Sequence, residues 1–98
     1  MSYGYIFEPL GNHSVYNTLT SAVTFTKPDG ATHIAFQPRT KAVYYTIDGT
    51  TPTATNGFKV SADDSDVVPV GDSVANIRIV EAEASASVGY IWLLAKGI

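Results

Sequence analysis

The residues of this sequence best suited to chemistry are two histidines and one cluster of aspartates. His13 and His33 lie in different segments, and neither has a serine or a carboxylate at a spacing typical of a catalytic motif. Asp63, Asp64 and Asp66 place three carboxylates within four residues, a kind of oxygen cluster that suits a hard cation such as calcium. A solvated acidic loop between two strands is the other interpretation of these aspartates.

Each of these candidates departs from an established catalytic or metal-binding pattern. The aspartate cluster lacks the glycine at the sharp turn and the closing glutamate of an EF-hand loop. Gly49, Gly57 and Gly71 are isolated and form no phosphate-binding loop. We therefore predict no catalytic residue, no cofactor and no metal ligand, and the sequence indicates that the protein is not an enzyme.

The composition favours a small folded domain without cross-links. The chain has 98 residues, 45% of them hydrophobic, and its lack of cysteine excludes disulfides and thiolate metal sites. The net charge is −3 and the six basic residues are scattered, so nucleic acid is not an expected partner. The first residues do not resemble a signal peptide, and the longest apolar run, Tyr90 to Ala95, is too short to span a bilayer. We expect one domain, residues 1–98, and no membrane partner.

The elements that position the side chains are predicted to be short antiparallel strands. Val43, Tyr45 and Ile47 alternate with Tyr44 and Thr46, which is the period-two pattern of a strand with one buried face. Similar segments recur roughly every 8–12 residues, and no amphipathic helix of useful length is visible. The prediction is an all-β fold, a single antiparallel β-sandwich of about 7–8 short strands, either immunoglobulin-like or jelly-roll-like.

A turn is predicted directly after this strand. Asp48 and Gly49 form a pair that tolerates the left-handed conformation, so we expect a tight turn with a positive φ at Gly49. Pro52 has no N–H group and would interrupt a central strand, so the segment that follows should be an edge or a loop.

The alternation within each segment also predicts which side chains form the core. One parity of each strand should face inward. In the last strand this assignment turns Ile91 and Leu93 inward and places Tyr90 and Trp92 on the opposite face. The predicted core consists of Val23, Phe25, Ile34, Phe36, Val43, Tyr45, Ile47, Phe58, Ile77, Ile79, Ile91 and Leu93.

The first segment, residues 1–12, has two interpretations. Its alternating aromatic residues fit either a first strand at the sandwich edge or an extended arm that docks on another chain. The last strand is apolar on both faces, which is more than a lone sandwich of this size needs to cover. We therefore predict partner contacts through Tyr3, Tyr5, Phe7, Tyr90 and Trp92.

Exposed aromatic residues on a sheet can also stack on sugars. Tyr44 and Trp92 are the candidates for such a role, which makes carbohydrate binding the alternative function. Coverage of the same side chains by a second sheet, an arm or a neighbouring subunit is the other interpretation.

Two resemblances bear on function. The stretch from Val43 to Thr53 reads Val-Tyr-Tyr-Thr-Ile-Asp-Gly-Thr-Thr-Pro-Thr and resembles the immunoglobulin-like C-terminal repeat of chitobiase and β-hexosaminidase. The same block, followed by Gly57-Phe58 and by closing strands at residues 77–80 and 88–92, also resembles a set of small tailed-phage virion proteins of about this length. The second resemblance runs loosely from residue 34 to residue 94.

The second resemblance implies a structural role. The chain begins with Met, has no secretion signal and ends just past its last strand, so we expect a free-standing protein. The resemblance implies a capsid decoration (cement) protein that binds and stabilises the assembled phage capsid. Its implied partners are the major capsid protein and copies of itself, with a trimer favoured, and its implied place is the capsid surface of the virion after synthesis in the host cytoplasm. The alternative is a carbohydrate- or host-surface-binding module of a phage tail or a secreted enzyme.

Overall fold

The regular structure of the protein consists of strands. The computed structural model describes residues 5–70 and 76–97, and no helix long and apolar enough to cross a membrane occurs in these residues. The predicted all-β fold is confirmed. In chain order the strands are β1 (Tyr5–Tyr16), β2 (Val23–Thr26), β3 (His33–Pro38), β4 (Val43–Thr46), β5 (Phe58–Val60), β6 (Asp66–Pro69), β7 (Asn76–Glu81) and β8 (Val88–Gly97).

The strands form two antiparallel sheets of four. The first sheet has the order β1-β8-β3-β6 and the second has the order β2-β7-β4-β5. The first strand pairs with the last, the second with the seventh, the third with the sixth and the fourth with the fifth. This nested pairing, with successive pairs in alternate sheets, is the strand order of a jelly roll. In an immunoglobulin sandwich the first, second, fourth and fifth strands would share one sheet.

The core lies between the two sheets. Ring contacts join the sheets, with centroids 5.1 Å apart for Phe36 and Tyr45 and 4.8 Å apart for Phe25 and Tyr90. Val23 and Ile47, both predicted core residues, are partly buried against the cluster. The cluster contains the predicted residues Phe25, Ile34, Phe36, Val43, Tyr45, Ile77 and Ile79, together with Leu19, Val60, Val68, Val70, Ala86 and Val88.

The predicted inward face of β8 is wrong. Ile34 of β3 lies in the core and pairs with Trp92, and paired residues of neighbouring strands project to the same face. Trp92 and Tyr90 therefore face the core, while Ile91 and Leu93 project from the outer face of the first sheet. A strand that is apolar on both faces gives no parity signal, because either choice of inward face satisfies the hydrophobic pattern.

The assignment of Phe58 to the core is also wrong. Phe58 pairs with Tyr45 and has the expected parity, but its side chain is 60% exposed. Strand β5 is three residues long and lies at the edge of the second sheet, where fewer neighbours are available to cover a large ring. Alternation within a strand predicts the face of a side chain and does not predict whether the strand is central.

The loop between β4 and β5 has the predicted turn. Gly49 has a φ of 83°, as expected for a position that favours glycine. The Asp48 carboxylate shapes the turn by accepting hydrogen bonds from the backbone N–H and the hydroxyl of Thr50. Pro52 lies in the same long connection, residues 47–57, which confirms the predicted loop after the turn.

Successive connections lie at opposite ends of the sandwich. The connections after β1, β3, β5 and β7 meet at one end, where the Arg39 N–H donates to the Ser87 carbonyl and the Asp63 N–H donates to the Pro38 carbonyl. We call this the Arg39 end. The connections after β2 and β4 lie at the other end, which we call the Asp48 end.

Strands β1 and β8 continue beyond the rest of the first sheet. Strand β3 pairs with β8 only as far as Leu93, and from there to its end β8 pairs with β1 alone. The Glu8 carboxylate and the Lys96 ammonium group, 3.3 Å apart, join the two strands of this extension. Of the predicted arm, residues 1–12, the described part is residues 5–12, and it lies in β1.

Candidate functional site

The residues predicted to contact a partner do not form one surface. Phe7 projects from the outer face of the first sheet and is 46% exposed. Tyr90 and Trp92 face the other way, are half-buried and pack against the core. Tyr3 lies outside the described residues, and only the backbone of Tyr5 is described. The surface that includes Phe7 is therefore the outer face of the first sheet.

This outer face carries mostly apolar side chains. The strand register places residues from all four strands on it, because paired residues share a face. We call this set the apolar face: Phe7, Pro9 and Val15 from β1, Ile91, Leu93 and Ala95 from β8, His33 and Ala35 from β3, and Val67 and Pro69 from β6.

Three large side chains of the apolar face are open to solvent. Phe7, Val15 and Val67 are 46%, 48% and 47% exposed, whereas Ile91 in the middle of the sheet is buried. The exposed side chains come from β1 and β6, the two edges of the sheet, and the apolar side chains of the two central strands between them are half-buried or buried. The Phe7 ring packs edge-on against the His33 ring at a centroid distance of 4.9 Å, which holds Phe7 on the sheet.

The outer face of the second sheet is polar by comparison. No large hydrophobic side chain of this face is exposed among the described residues. The half-buried Tyr44 and Val80 lie among polar neighbours. Those neighbours are Thr24, Thr26, Thr46, Lys59 and Arg78. The outer face of the second sheet is thus typical of a solvent-exposed surface, whereas the outer face of the first sheet is of the kind that marks an interaction surface.

A groove of about 350 Å³ opens on the apolar face near the Arg39 end, with Val15 and Ile91 in its lining. Arg39 lies over Gly89, where an added Cβ atom would be 3.8 Å from both Cδ and Nη1 of the arginine. That distance is an ordinary van der Waals contact, so the arginine side chain lies directly on the sheet at Gly89. No carboxylate in the described part of the chain forms an ion pair with Arg39, so this cation is available to a partner.

One of the three clustered aspartates, Asp66, is engaged in a contact between the two sheets. Asp66 Oδ2 accepts a 2.7 Å hydrogen bond from the Tyr45 hydroxyl, which ties β6 of one sheet to β4 of the other. Burial, together with this hydrogen bond, raises the pKa of Tyr45 well above its usual range. Within residues 5–70 and 76–97, no group of three or more side chains is arranged to hold a metal ion.

Among the described residues, neither histidine belongs to a catalytic arrangement of side chains. His13 belongs to β1 and lies at the groove. His33 is half-buried beneath Phe7, and its Nδ1 atom is 2.9 Å from the Thr32 hydroxyl. Neither ring has a hydrogen bond to a carboxylate in the part of the chain that the structure describes.

The aromatic pair considered for sugar stacking is divided between the sheets. Tyr44 lies on the outer face of the second sheet, and Trp92 lies on the inner face of the first. The most exposed aromatic side chain of the described residues is Phe58, which the sequence pattern assigned to the core. Its place directly after Gly57, at the end of a long polar loop, was the signal that pointed to an edge position.

Comparisons with protein-family models, with curated proteins and with solved structures return no match to this chain. The jelly-roll fold occurs in viral capsid proteins and in lectins, so the fold does not decide between these functions. Function has therefore to be argued from the surfaces described above.

Proposed function

We propose that the protein is a structural virion protein that binds the assembled phage capsid through its apolar face. The observation that carries this proposal is the difference between the two outer faces, one polar and one largely apolar, with exposed apolar side chains at both of its edges. The resemblance of residues 34–94 to small tailed-phage virion proteins supplies the class of partner. The site of action is the capsid surface, and the main partner is the major capsid protein.

Binding of this kind would stabilise the capsid by mass action. A subunit that contacts two neighbouring capsid proteins adds binding free energy that is lost when they separate. Each Å² of apolar surface removed from water contributes about 25 cal/mol, and Phe7, Val15 and Val67 offer such surface. A carboxylate on the capsid protein that reaches Arg39 would add a charge-assisted hydrogen bond.

Self-association belongs to the same proposal, with a trimer as the favoured assembly. The outer edge of β1 has no partner strand among the described residues. A free edge is where another copy can add a strand. Copies joined in this way would present their apolar faces to the capsid together, which increases the apparent affinity through multivalency.

Co-sedimentation with expanded capsids tests the proposal. Val67→Asp introduces a charge on the outer face of β6, an edge strand of the first sheet. Thr24→Asp is the matched control, because Thr24 is exposed on the outer face of β2, an edge strand of the second sheet. We expect Val67→Asp to weaken capsid binding roughly tenfold or more and Thr24→Asp to leave it unchanged.

Two results would contradict the proposal. Wild-type protein that stays in the supernatant with every capsid form would reject the function. Equal losses in both variants would reject the apolar face as the contact surface. Urea denaturation of each variant checks that the charge has not unfolded the sandwich.

A further inference from the structure

A second concave site lies at the Asp48 end and is separate from the apolar face. The cavity has a volume of about 240 Å³ and lies between the β4–β5 loop and the start of β5. Its lining residues include Asp48, Asn56 and Phe58. None of these residues contributes to the capsid contact proposed above.

The loop that forms this cavity is held in place by its own side chains. The Thr46 hydroxyl donates a 2.6 Å hydrogen bond to the Thr50 carbonyl. Asn56 Nδ2 donates to Thr50 Oγ1 and to the Thr51 carbonyl, each at 2.9 Å. Arg78 Nη1 donates to Thr51 Oγ1 at 2.8 Å. A ligand that binds here would not have to order the loop first, which lowers the entropic cost of binding.

The side-chain polar groups that remain for a ligand are acceptors. The Asp48 carboxylate accepts two hydrogen bonds from Thr50 and retains further acceptor capacity. Asn56 uses its amide nitrogen within the loop, which leaves the carbonyl oxygen for a ligand. The hydrogen bonds from the hydroxyl and the backbone N–H of Thr50 lower the pKa of Asp48, so the carboxylate is charged at neutral pH.

Phe58 supplies the apolar wall of the cavity. Its ring is 60% exposed, and its position is supported by the Tyr45 ring at a centroid distance of 5.6 Å. Gly57 allows the chain to pass close to the Tyr45 carbonyl oxygen, where an added Cβ atom would clash. The close approach at Gly57 thus brings the start of β5 against the end of β4, beside the cavity.

We propose that this cavity binds one ring of a neutral saccharide, with the ring stacked on Phe58 and its hydroxyl groups donating to Asp48 and Asn56. A sugar ring combines a face of C–H groups with several hydroxyl donors, which matches an aromatic wall beside acceptor oxygens. An acidic sugar is disfavoured because the Asp48 carboxylate would repel it. A hard cation needs 6–8 oxygen ligands and would make no use of Phe58.

Titration of the ¹⁵N-labelled protein with methyl glycosides tests this inference by NMR. The probes are the methyl glycosides of glucose, galactose, mannose and N-acetylglucosamine. We expect at least one to shift amide signals of residues 46–58 selectively, with a Kd on the order of 1 mM for a single small ring. Calcium chloride and tetramethylammonium chloride, titrated separately, are expected to leave these signals in place.

Phe58→Ala and Phe7→Ala form a matched pair of variants. Both rings are largely exposed, at 60% and 46%, so neither change should unfold the protein. Phe58→Ala should weaken glycoside binding roughly tenfold or more, whereas Phe7→Ala should not change it. Asn56→Asp, which keeps the size of the side chain but replaces the donor amide by a carboxylate, should disturb the loop and weaken binding as well.

The inference is overturned if no glycoside shifts these signals, if Phe58→Ala binds as the wild type does, or if only calcium or tetramethylammonium produces the shifts. The capsid assay gives an independent result. A protein that binds a glycoside but not capsids would reject the proposed function and support the saccharide site. A protein that binds capsids but no glycoside would support the proposed function and reject the saccharide site.

Discussion

Tyr45 is the residue that most directly connects the two sheets. Its ring packs on Phe36, and its hydroxyl donates to Asp66 in the opposite sheet. We expect Tyr45→Phe to lower the free energy of unfolding by about 1–3 kcal/mol, because a half-buried carboxylate loses its donor. Urea denaturation measures this loss. Tyr44→Phe is the control, since the Tyr44 hydroxyl has no hydrogen bond to the described residues, and equal losses in both variants would contradict this role of Tyr45.

The same contact predicts a pH dependence at high pH. The raised pKa of Tyr45 means that folding favours the protonated hydroxyl. The stabilisation is fully present below the ordinary pKa of 10.0 and is lost as the pH rises above it. Wild-type stability should therefore fall more steeply than that of Tyr45→Phe above pH 10.0. Parallel curves for the two proteins would count against this coupling.

Two glycines with positive φ should respond differently to substitution. Gly49 has a φ of 83° with open space around it, whereas an added Cβ atom at Gly57 would clash with the Tyr45 carbonyl oxygen. Gly49→Ala should cost about 1–2 kcal/mol from backbone strain alone. Gly57→Ala should cost more, because β5 must also move away from β4. Thermal denaturation of the two variants measures the difference, and a Gly57→Ala variant as stable as Gly49→Ala would refute the close approach.

At the scale of elements, the position of a strand in its sheet decides whether its aromatic side chain is buried or exposed. Phe36 in the central strand β3 is 2% exposed, and Phe58 in the edge strand β5 is 60% exposed. Phe36→Ala should cost roughly 3–5 kcal/mol as a large-to-small change in the core, and Phe58→Ala should cost well under half of that. Denaturant midpoints compare the two. A midpoint for Phe36→Ala close to that of the wild type would remove Phe36 from the core.

At the scale of the whole molecule, the extension formed by the ends of β1 and β8 is the part expected to contact a partner. Beyond Leu93, β8 pairs with no described strand other than β1 and has one further support, a 2.7 Å hydrogen bond from the Ala95 N–H to the Thr32 hydroxyl. A pair of strands with so little other support is only marginally stable in water. Packing on a partner would remedy this. Deletion of residues 2–8 should therefore leave a folded sandwich that sediments less with capsids and associates less with itself.

Sedimentation of the intact and truncated proteins, with and without expanded capsids, measures both effects. Circular dichroism provides the control for folding. If the truncated protein unfolds, residues 1–10 are a required part of the sandwich and the arm interpretation is wrong. If it folds and binds as the intact chain does, the extension is not a contact surface.

The local pattern of alternating and turn-forming residues was sufficient to predict the fold class. Alternation and turn residues predicted the all-β class, the strand at Val43–Thr46 and the positive φ of Gly49. These features depend on side-chain direction and backbone freedom, which act over a few residues. The core assignment of Phe25 followed from the same alternation, because Thr24 and Thr26 make the other face of β2 polar.

Tertiary structure alone decided the topology, the inward face of β8 and the exposure of Phe58. Which strands become neighbours depends on contacts between distant segments, such as the pairing of β1 with β8, and no local period encodes it. A strand that is apolar on both faces can turn either one inward until its neighbours are known. The apolar face and the cavity beside Asp48 are products of that arrangement, so neither could be recognised before the sheets were assembled.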